Sequence, residues 1–446
     1  MNKGFFFDLN KCVGCHACVV ACQIENGKDQ SVPWREISTY NSNQHPDLPV
    51  FHYSLACNHC EDAPCMFNCP AAAFVKEEGI NMISHIADNC IGCKYCTWAC
   101  PYDAPKFINE KGVVEKCTLC QHRLIENKKP ACANLCPTGA LDFKAIEIKP
   151  HQRLAGFTEK GIGPSINVVE LRRKKAPKLH IALSENEKQQ FINIQRPIPS
   201  KINMTVEWVL VIFTLLVPIL IAYFSAGVIG FMQINPWIFI TAGCSGLILS
   251  SLHLGKKTRA WRAVFNIRNS WLSREVFFYG LFLGMSVAWF IFPHISYFGY
   301  AAALAGFAAA WSIDKVYHVV EKNTRLNLHS AGTFLTTLFF VSLLTNNIVF
   351  IWIIFILKIL LYTYRKIYFK IHHKSVRWWF TISRILIGFI LPVFLQFGLQ
   401  KNQSTLALLF LLMGEILDRL EFYLELKIIE PREQIRKDII KSLSSN

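Results

Sequence analysis

The apolar positions are distributed unevenly along the chain. Beyond residue 204 the sequence contains eight apolar runs, most of them close to the roughly 20 residues that cross a bilayer as a helix. The runs are 208–229, 237–253, 276–292, 295–313, 331–344, 348–364, 378–397 and 406–424. The fifth run is short, and only three residues separate it from the sixth. The pattern predicts an all-α bundle of eight transmembrane helices, in which the fifth is the weakest.

The first 150 residues follow a different pattern. Short apolar stretches such as 79–84 and 140–143 predict small strands between loops. Residues 151–204 are polar and basic without a helical apolar period, which predicts a linker that either fixes the first domain to the bundle or forms a solvated tether. The predicted regions are an α+β head (1–150), a basic linker (151–204), an eight-helix membrane anchor (205–426) and a polar tail (427–446).

The formal net charge of +16 changes this picture little. Lysine and arginine concentrate in residues 172–178 and in the short loops between apolar runs, where they report membrane topology. No basic and aromatic recognition module stands out, so nucleic acid is not a predicted partner. A cysteine motif begins at Cys12, and no removable signal peptide is predicted before it.

Sixteen of the 17 cysteines lie between Cys12 and Cys136, in four groups. The first and third groups have the spacing of bacterial ferredoxins, whereas the second and fourth widen one gap. The groups are Cys12, Cys15, Cys18 and Cys22; Cys57, Cys60, Cys65 and Cys69; Cys90, Cys93, Cys96 and Cys100; and Cys117, Cys120, Cys132 and Cys136.

This spacing favours iron–sulfur clusters. Three cysteines of one tight loop can bind a 4Fe–4S cubane, while the fourth crosses to a second cluster, so clusters come in pairs. Disulfides do not need repeated two-residue gaps, and zinc would be favoured by a lone C-x2-C pair. Sixteen thiolates predict four 4Fe–4S clusters in two ferredoxin-like dicluster units, with all sixteen cysteines as iron ligands. Cys244 is predicted to be a small core residue without redox chemistry.

The opening GFFFDLNKCVGCHACVVAC and the four groups resemble the iron–sulfur subunit of the dimethyl sulfoxide reductase family of molybdenum enzymes. Spacing alone does not decide which groups pair. The resemblance implies that the two outer groups pair and the two inner groups pair. The implied ligand sets are Cys12, Cys15, Cys18 and Cys136 (set I); Cys22, Cys117, Cys120 and Cys132 (set II); Cys57, Cys60, Cys65 and Cys100 (set III); and Cys69, Cys90, Cys93 and Cys96 (set IV).

The anchor has no histidine in the middle of a predicted span, so no haem is expected. His253 ends the second span and Glu275 precedes the third, in a basic stretch on one face. Quinol oxidation releases two protons and needs acceptors at the bilayer edge, which these two side chains could supply. The alternative is an interfacial histidine and a glutamate favoured by the helix dipole.

The same stretch resembles the anchor subunit of dimethyl sulfoxide reductase, where a histidine and a glutamate shape a menaquinol site. Residues 414–419, GEILDR, resemble the last helix of that anchor. The departure is fusion, because the family usually makes the head and the anchor as separate proteins.

Three of the charges within the predicted spans are singled out, because charges there are costly and usually paired. Lys358 is expected to be structural, since its side chain can snorkel towards the membrane surface. Arg384 and Glu415 are expected to pair, either to hold the bundle together or to move protons.

The expected function is electron transfer from the menaquinol pool through four clusters to a separate molybdopterin catalytic subunit. That partner would reduce dimethyl sulfoxide, nitrate or a sulfur compound, and the terminal substrate site would lie on that other chain. The alternative is a non-catalytic redox subunit of an ion-translocating quinone-linked complex of polysulfide-reductase type, with Arg384 and Glu415 in a proton path.

The expected location is the bacterial cytoplasmic membrane, but two arguments disagree about the side of the head. Three short loops on its face carry fourteen lysine and arginine residues, against Lys401 alone in the loops opposite. An excess of positive loop charge marks the cytoplasmic face. The resemblance implies the periplasmic face, because the best-known relatives carry the head outside.

Overall fold

The structure is a computed structural model that describes residues 3–27, 32–40, 50–77, 80–148, 161–172, 204–319, 329–371, 376–398 and 404–426. The chain divides into two compact units, one formed by Met1–Pro199 together with Ile429–Asn446 and the other by Ser200–Ile428. Most of the predicted linker and the whole predicted tail lie outside the described residues.

The strands that the structure describes in the first unit form four small sheets. Strand β1 (Lys3–Asp8) is the centre of a three-stranded sheet, antiparallel to β8 (Leu141–Ala145) and parallel to β9 (Ile166–Val169). Alternate residues of β1 face the core, and Phe5 and Phe7 are each only 1% exposed. Three antiparallel pairs complete the strands: β2 (Glu36–Tyr40) with β3 (Phe51–Leu55), β4 (Phe74–Glu77) with β5 (Met82–His85), and β6 (Lys106–Ile108) with β7 (Val113–Glu115).

Strand β9 lies beyond the predicted end of the head at residue 150. It pairs with β1, and the residues before it also bind the head, since Glu61 N–H donates to the Gly163 carbonyl at 2.8 Å. A Cβ at Gly4 would lie 2.6 Å from the Ser165 carbonyl oxygen. Glycine at this position therefore allows the segment before β9 to pack closely against β1. Residues 161–172 therefore belong to the head rather than to a linker. Four strand residues among polar neighbours were too short a signal to indicate this.

In the described part of this unit, five short α-helices connect the strands. They are α1 (Ala17–Asn26), α2 (Pro64–Phe67), α3 (Tyr95–Ala99), α4 (Gln121–Ile125) and α5 (Ala131–Asn134). Four of the five have five residues or fewer, so each can orient one or two side chains but buries little surface of its own.

The second unit is helical. Its described residues place helical segments on all the predicted apolar runs: α6 (Met204–Val228), α7 (Pro236–Leu252), α8 (Trp271–Ile291), α9 (Ser296–Val316), α10 (Thr333–Leu344), α11 (Ile348–Ile371), α12 (Trp378–Ile385) continued through the π-helical turn Leu386–Ile390 into α13 (Leu391–Gly398), and α14 (Ser404–Glu425).

Fewer of these helices are long and apolar enough to be candidate membrane spans. Among the described residues, four qualify: Glu207–Val228, Trp271–Ile291, Ile348–Ile371 and Trp378–Leu395. Helix α7 makes a fifth if it is counted with the 3-10 helix Lys257–Val264, from which it is bent by 105°. The C-terminal part is thus helical with about four apolar candidate spans, which indicates a membrane-embedded region. The count of eight spans stays a prediction, and α10, the fifth run, is short as expected.

Two glycines bring the seventh and eighth helical segments into close contact. A Cβ at Gly414 would lie 2.4 Å from the Cα atom of Gly388 and 2.2 Å from Nη1 of Arg384. Gly388 lies in the π-helical turn Leu386–Ile390, and such turns interrupt the regular helical hydrogen bonding. The backbones therefore touch directly, beside a buried guanidinium.

Gly414→Ala should destabilise the anchor, because the backbone of Gly388 and the buried Arg384 guanidinium both occupy the space of the new methyl group. We expect a loss of about 1–3 kcal/mol, measured as a lower thermal unfolding temperature of the full chain in detergent. Gly280→Ala is the matched control, since its Cβ meets nothing within 4 Å. Equal unfolding temperatures for the two variants would contradict the close approach.

Candidate functional site

All four cysteine groups share a turn between their first two cysteines. In each group the residue before the second cysteine has a positive φ, at Gly14 (70°), His59 (43°), Gly92 (70°) and Leu119 (55°). This left-handed conformation is easy for glycine but costly for histidine and leucine. The loop geometry is thus repeated even where the sequence lacks the residue that favours it.

The third cysteine of each group occupies the same place on a helix. Cys18, Cys65, Cys96 and Cys132 are each the second residue of their short helix. The fourth cysteine lies inside the helix at Cys22, and at or just beyond the helix end in the other three groups. The helix carries the chain away from the loop, so the fourth thiol can meet cysteines of another group.

Two sets of thiols involve the second and third groups. Cys57, Cys60, Cys65 and Cys100 line one cavity. Cys69 lies close enough to the third group for charge interactions, which involve Cys90, Cys93 and Cys96. In both cases the fourth cysteine of one group completes a set with three cysteines of the other.

The first and fourth groups are combined in a similar way. Cys12 interacts with Cys15, Cys18 and Cys136. The remaining set is less compact in sequence: Cys22 interacts with Cys120 and Cys132, and Cys117 interacts with Cys22 and Cys132. These neighbours are compatible with sets I to IV, but interactions also cross the sets, as between Cys117 and Cys57 and between Cys18 and Cys132. The assignment of these thiols to the four sets as iron ligands stays a prediction.

The surroundings of these thiols fit a cluster. All 17 cysteines are free of disulfides, and burial raises the pKa of Cys22 to about 12 and the pKa of Cys60 well above its ordinary range. A buried thiolate needs positive charge nearby, which the iron of a cubane supplies. The backbone N–H groups of Ala73 and Leu119 donate to the sulfurs of Cys69 and Cys117 at 3.3 Å, which also stabilises the thiolate form.

Among the described residues, no three His, Cys, Asp or Glu side chains converge on a position for a single metal ion. A cubane has iron at each of four corners, so its ligands do not need to converge in that way.

Cys244 is the one cysteine outside the groups, and its predicted place in the core is wrong. It is exposed on α7, whereas its neighbour Gly243 is buried against Leu283. The apolar run could not show which face of the helix packs.

His253 and Glu275 lie at the ends of neighbouring helices. His253 directly follows α7 and is half-buried. Glu275 is the fifth residue of α8 and only 8% exposed. The helix dipole acts most strongly in the first turn, and Glu275 lies just beyond that turn. The dipole alone therefore explains poorly why a glutamate stands at this position.

The polar groups near Glu275 come from distant helices. The Arg419 guanidinium and the phenols of Tyr317 and Tyr423 lie near enough to Glu275 for electrostatic interaction. Arg419 is buried and donates from Nε to the Thr214 hydroxyl at 2.9 Å, and the two tyrosines hydrogen-bond each other. Sequence reasoning did not single out these residues. The signal for Arg419 was its position four residues after Glu415 in GEILDR.

Arg384 and Glu415 pair as predicted, at 2.9 Å between Nη2 and Oε1. The prediction that Lys358 snorkels is wrong. Lys358 is fully buried, and its Nζ lies 2.8 Å from Oε2 of Glu415. A lysine in the middle of a span reaches water poorly, and a buried carboxylate opposite it makes pairing the better solution.

The ion pairs continue along α11 and α14. Arg365 lies 3.1 Å from both Asp418 and Glu421, and Lys366 pairs with Glu421 and with Glu425. Both cations were predicted in a loop, but α11 extends to Ile371 and includes them. Arg365 and Lys366 should therefore not be counted among the positive loop residues that indicate membrane topology.

The loops, the thiol sets and the small sheets define an iron–sulfur electron-transfer protein. Residues 49–146 match the 4Fe-4S dicluster domain family. The chain is 40% identical over 153 residues to the B chain of the anaerobic dimethyl sulfoxide reductase of Escherichia coli, covering 32% of this chain and 74% of that relative. It is also 40% identical over 152 residues to the B subunit of the tetrathionate reductase of Salmonella typhimurium, covering 33% and 59%.

A third relative is the B subunit of the sulfite dehydrogenase of Allochromatium vinosum, 33% identical over 177 residues, covering 34% of this chain and 73% of that protein. The chain belongs to the family of iron–sulfur subunits of molybdopterin oxidoreductases. The predicted resemblance of the head is thereby confirmed.

Cys65→Ala should lower the iron content by about one to four irons per chain, because a cubane that loses one of its four thiolates loses either the iron at that corner or the whole cluster. Iron analysis of anaerobically purified protein measures this. Cys244→Ala removes a cysteine outside the sets and should leave the iron content unchanged. Full iron in Cys65→Ala would exclude Cys65 from the ligands.

Proposed function

We propose that this chain carries electrons from quinol, specifically menaquinol, through four 4Fe–4S clusters to a separate molybdopterin-containing catalytic subunit. Sets I to IV would hold the clusters. The helical unit would anchor the chain in the bacterial cytoplasmic membrane and react with the quinone pool. The terminal substrate would bind on the catalytic subunit.

The feature that supports this proposal most is the presence of sixteen free cysteines in four sequence groups, enough for four complete sets of four ligands. A chain of closely spaced 4Fe–4S clusters needs a complete ligand set for each cluster, because a cubane requires four soft ligands. Membership of the iron–sulfur subunit family supports the same role. The relatives include subunits of reductases and of a dehydrogenase, so the direction of electron flow depends on the partner.

The quinol site would use His253 and Glu275 as proton acceptors. Each quinol releases two electrons and two protons, so two neighbouring bases suit its oxidation. The burial of Glu275 at 8% exposure, beside the Arg419 guanidinium, supports a specific role over a solvated surface glutamate. Arg419 is held by Thr214 and by the Ala331 carbonyl, which would keep its charge in a fixed position near Glu275.

One observation bears on the alternative, a subunit of an ion-translocating complex. Lys358, Arg365, Lys366 and Arg384 form a buried row of cations against four carboxylates of α14. Within the described residues the two rows balance, and each carboxylate has a cation within 4.0 Å. Carboxylates held in ion pairs exchange protons poorly, so we favour a structural role for this row.

His253→Ala and Glu275→Gln should slow reduction of the clusters by a menaquinol analogue about a hundredfold, the size expected when a general base is lost. Stopped-flow absorbance of the oxidised clusters measures this rate. His294→Ala, in an exposed loop, is the matched histidine control and should behave like the unsubstituted chain. Dithionite should reduce all variants alike.

Unchanged quinol oxidation in both variants would move the site elsewhere. With the chain and its catalytic partner in vesicles, proton transport coupled to turnover and lost in Glu415→Gln would favour the ion-translocating alternative.

A further inference from the structure

A single arginine is buried between two of the thiol sets. Arg35 is 2% exposed, and its Nη1 donates to the Ser54 hydroxyl at 2.9 Å. The same hydroxyl lies 3.5 Å from the sulfur of Cys18 in set I. The guanidinium also covers the ring of Phe5, 4.8 Å from its centre.

The charges that act most strongly on Arg35 are those of cysteines. They belong to Cys18 of set I and to Cys22, Cys117 and Cys132 of set II. A guanidinium keeps its proton throughout the ordinary pH range, so Arg35 is a permanent cation although it is buried. Its Nε has no hydrogen-bond partner among the described residues. Arg35 therefore compensates thiolate charge where sets I and II meet.

A lysine has the corresponding place between sets II and III. Lys116 is 3% exposed, and its Nζ lies 3.6 Å from the sulfur of Cys57 in set III. The ammonium also donates to the carbonyls of Ile83 and Cys117, and Cys117 belongs to set II. Its charge acts on the thiols of Cys65 and Cys117 as well. Lys116 thus bridges the two dicluster halves.

We propose that Arg35 and Lys116 tune the electron wire, by placing a buried positive charge at two successive junctions and raising the reduction potentials of the clusters on either side. This inference rests on the proposed four-cluster function. Reduction adds one negative charge to a cluster, and a nearby cation stabilises that charge strongly where water is excluded. Hydrogen bonds to the sulfurs act in the same direction.

Set IV provides an internal comparison. The charges that act most strongly on Cys69, Cys93 and Cys96 are those of other cysteines. The potential of the cluster in set IV should therefore depend least on Arg35 and Lys116. Arg35 and Lys116 would therefore make the clusters of sets I to III easier to reduce than the cluster of set IV.

The test is a redox titration of the full chain, purified anaerobically and followed by electron paramagnetic resonance. Arg35→Met should lower two of the four midpoint potentials, and Lys116→Met should lower two, with one cluster shared between the variants. At a fixed potential we expect about a tenfold smaller ratio of reduced to oxidised cluster, which corresponds to about 59 mV for a one-electron couple. Arg35→Lys keeps the charge and should restore most of the shift.

Lys111→Met is the control for loss of a lysine charge, because Lys111 is 61% exposed and pairs with Glu115. It should leave all potentials unchanged. Potentials that stay at their original values in both Met variants, with full iron content, would overturn the proposal. So would loss of iron in both, since the two side chains would then serve assembly. The iron content and signals of the unsubstituted chain test the four-cluster function independently of these variants.

Discussion

The constraint on which the first unit depends is the burial of many thiolates in a small volume. Twelve of the sixteen grouped cysteines are buried, and each would carry negative charge as an iron ligand. Such charges are tolerated only beside positive charge and hydrogen-bond donors, so iron has to supply much of the folding energy. This explains why the strands and helices are short and why left-handed residues such as His59 and Leu119 are retained in the loops.

The second unit meets a related problem with ion pairs instead of metal. Cations of α11 and the seventh helical segment face carboxylates of α14, with Lys358, Arg384 and Glu415 at one end of the row. Breaking one such pair leaves an uncompensated buried charge, which costs about 3–5 kcal/mol. Gly388 and Gly414 allow the two helical segments to approach closely around the Arg384 guanidinium.

The cysteine spacing predicted the nature of the first unit because much of the ligand geometry is local: in each group the third and fourth cysteines lie on, or close to the end of, one short helix. Features that depend on distant partners were less predictable. Strand β9 is recognisable only through its pairing with β1. The burial of Lys358 depends on Glu415, 57 residues later. The exposure of Cys244 depends on which face of α7 packs, which a uniformly apolar run does not reveal.

The central claim is that sixteen cysteines hold four cubanes in one continuous wire. The most direct measurement is the content of iron and acid-labile sulfide in the anaerobically purified full chain, together with the number of electrons it accepts from dithionite. The account predicts about sixteen irons, about sixteen sulfides and about four electrons per chain. A stable protein that holds zinc with little iron, or one that accepts only about two electrons, would contradict it.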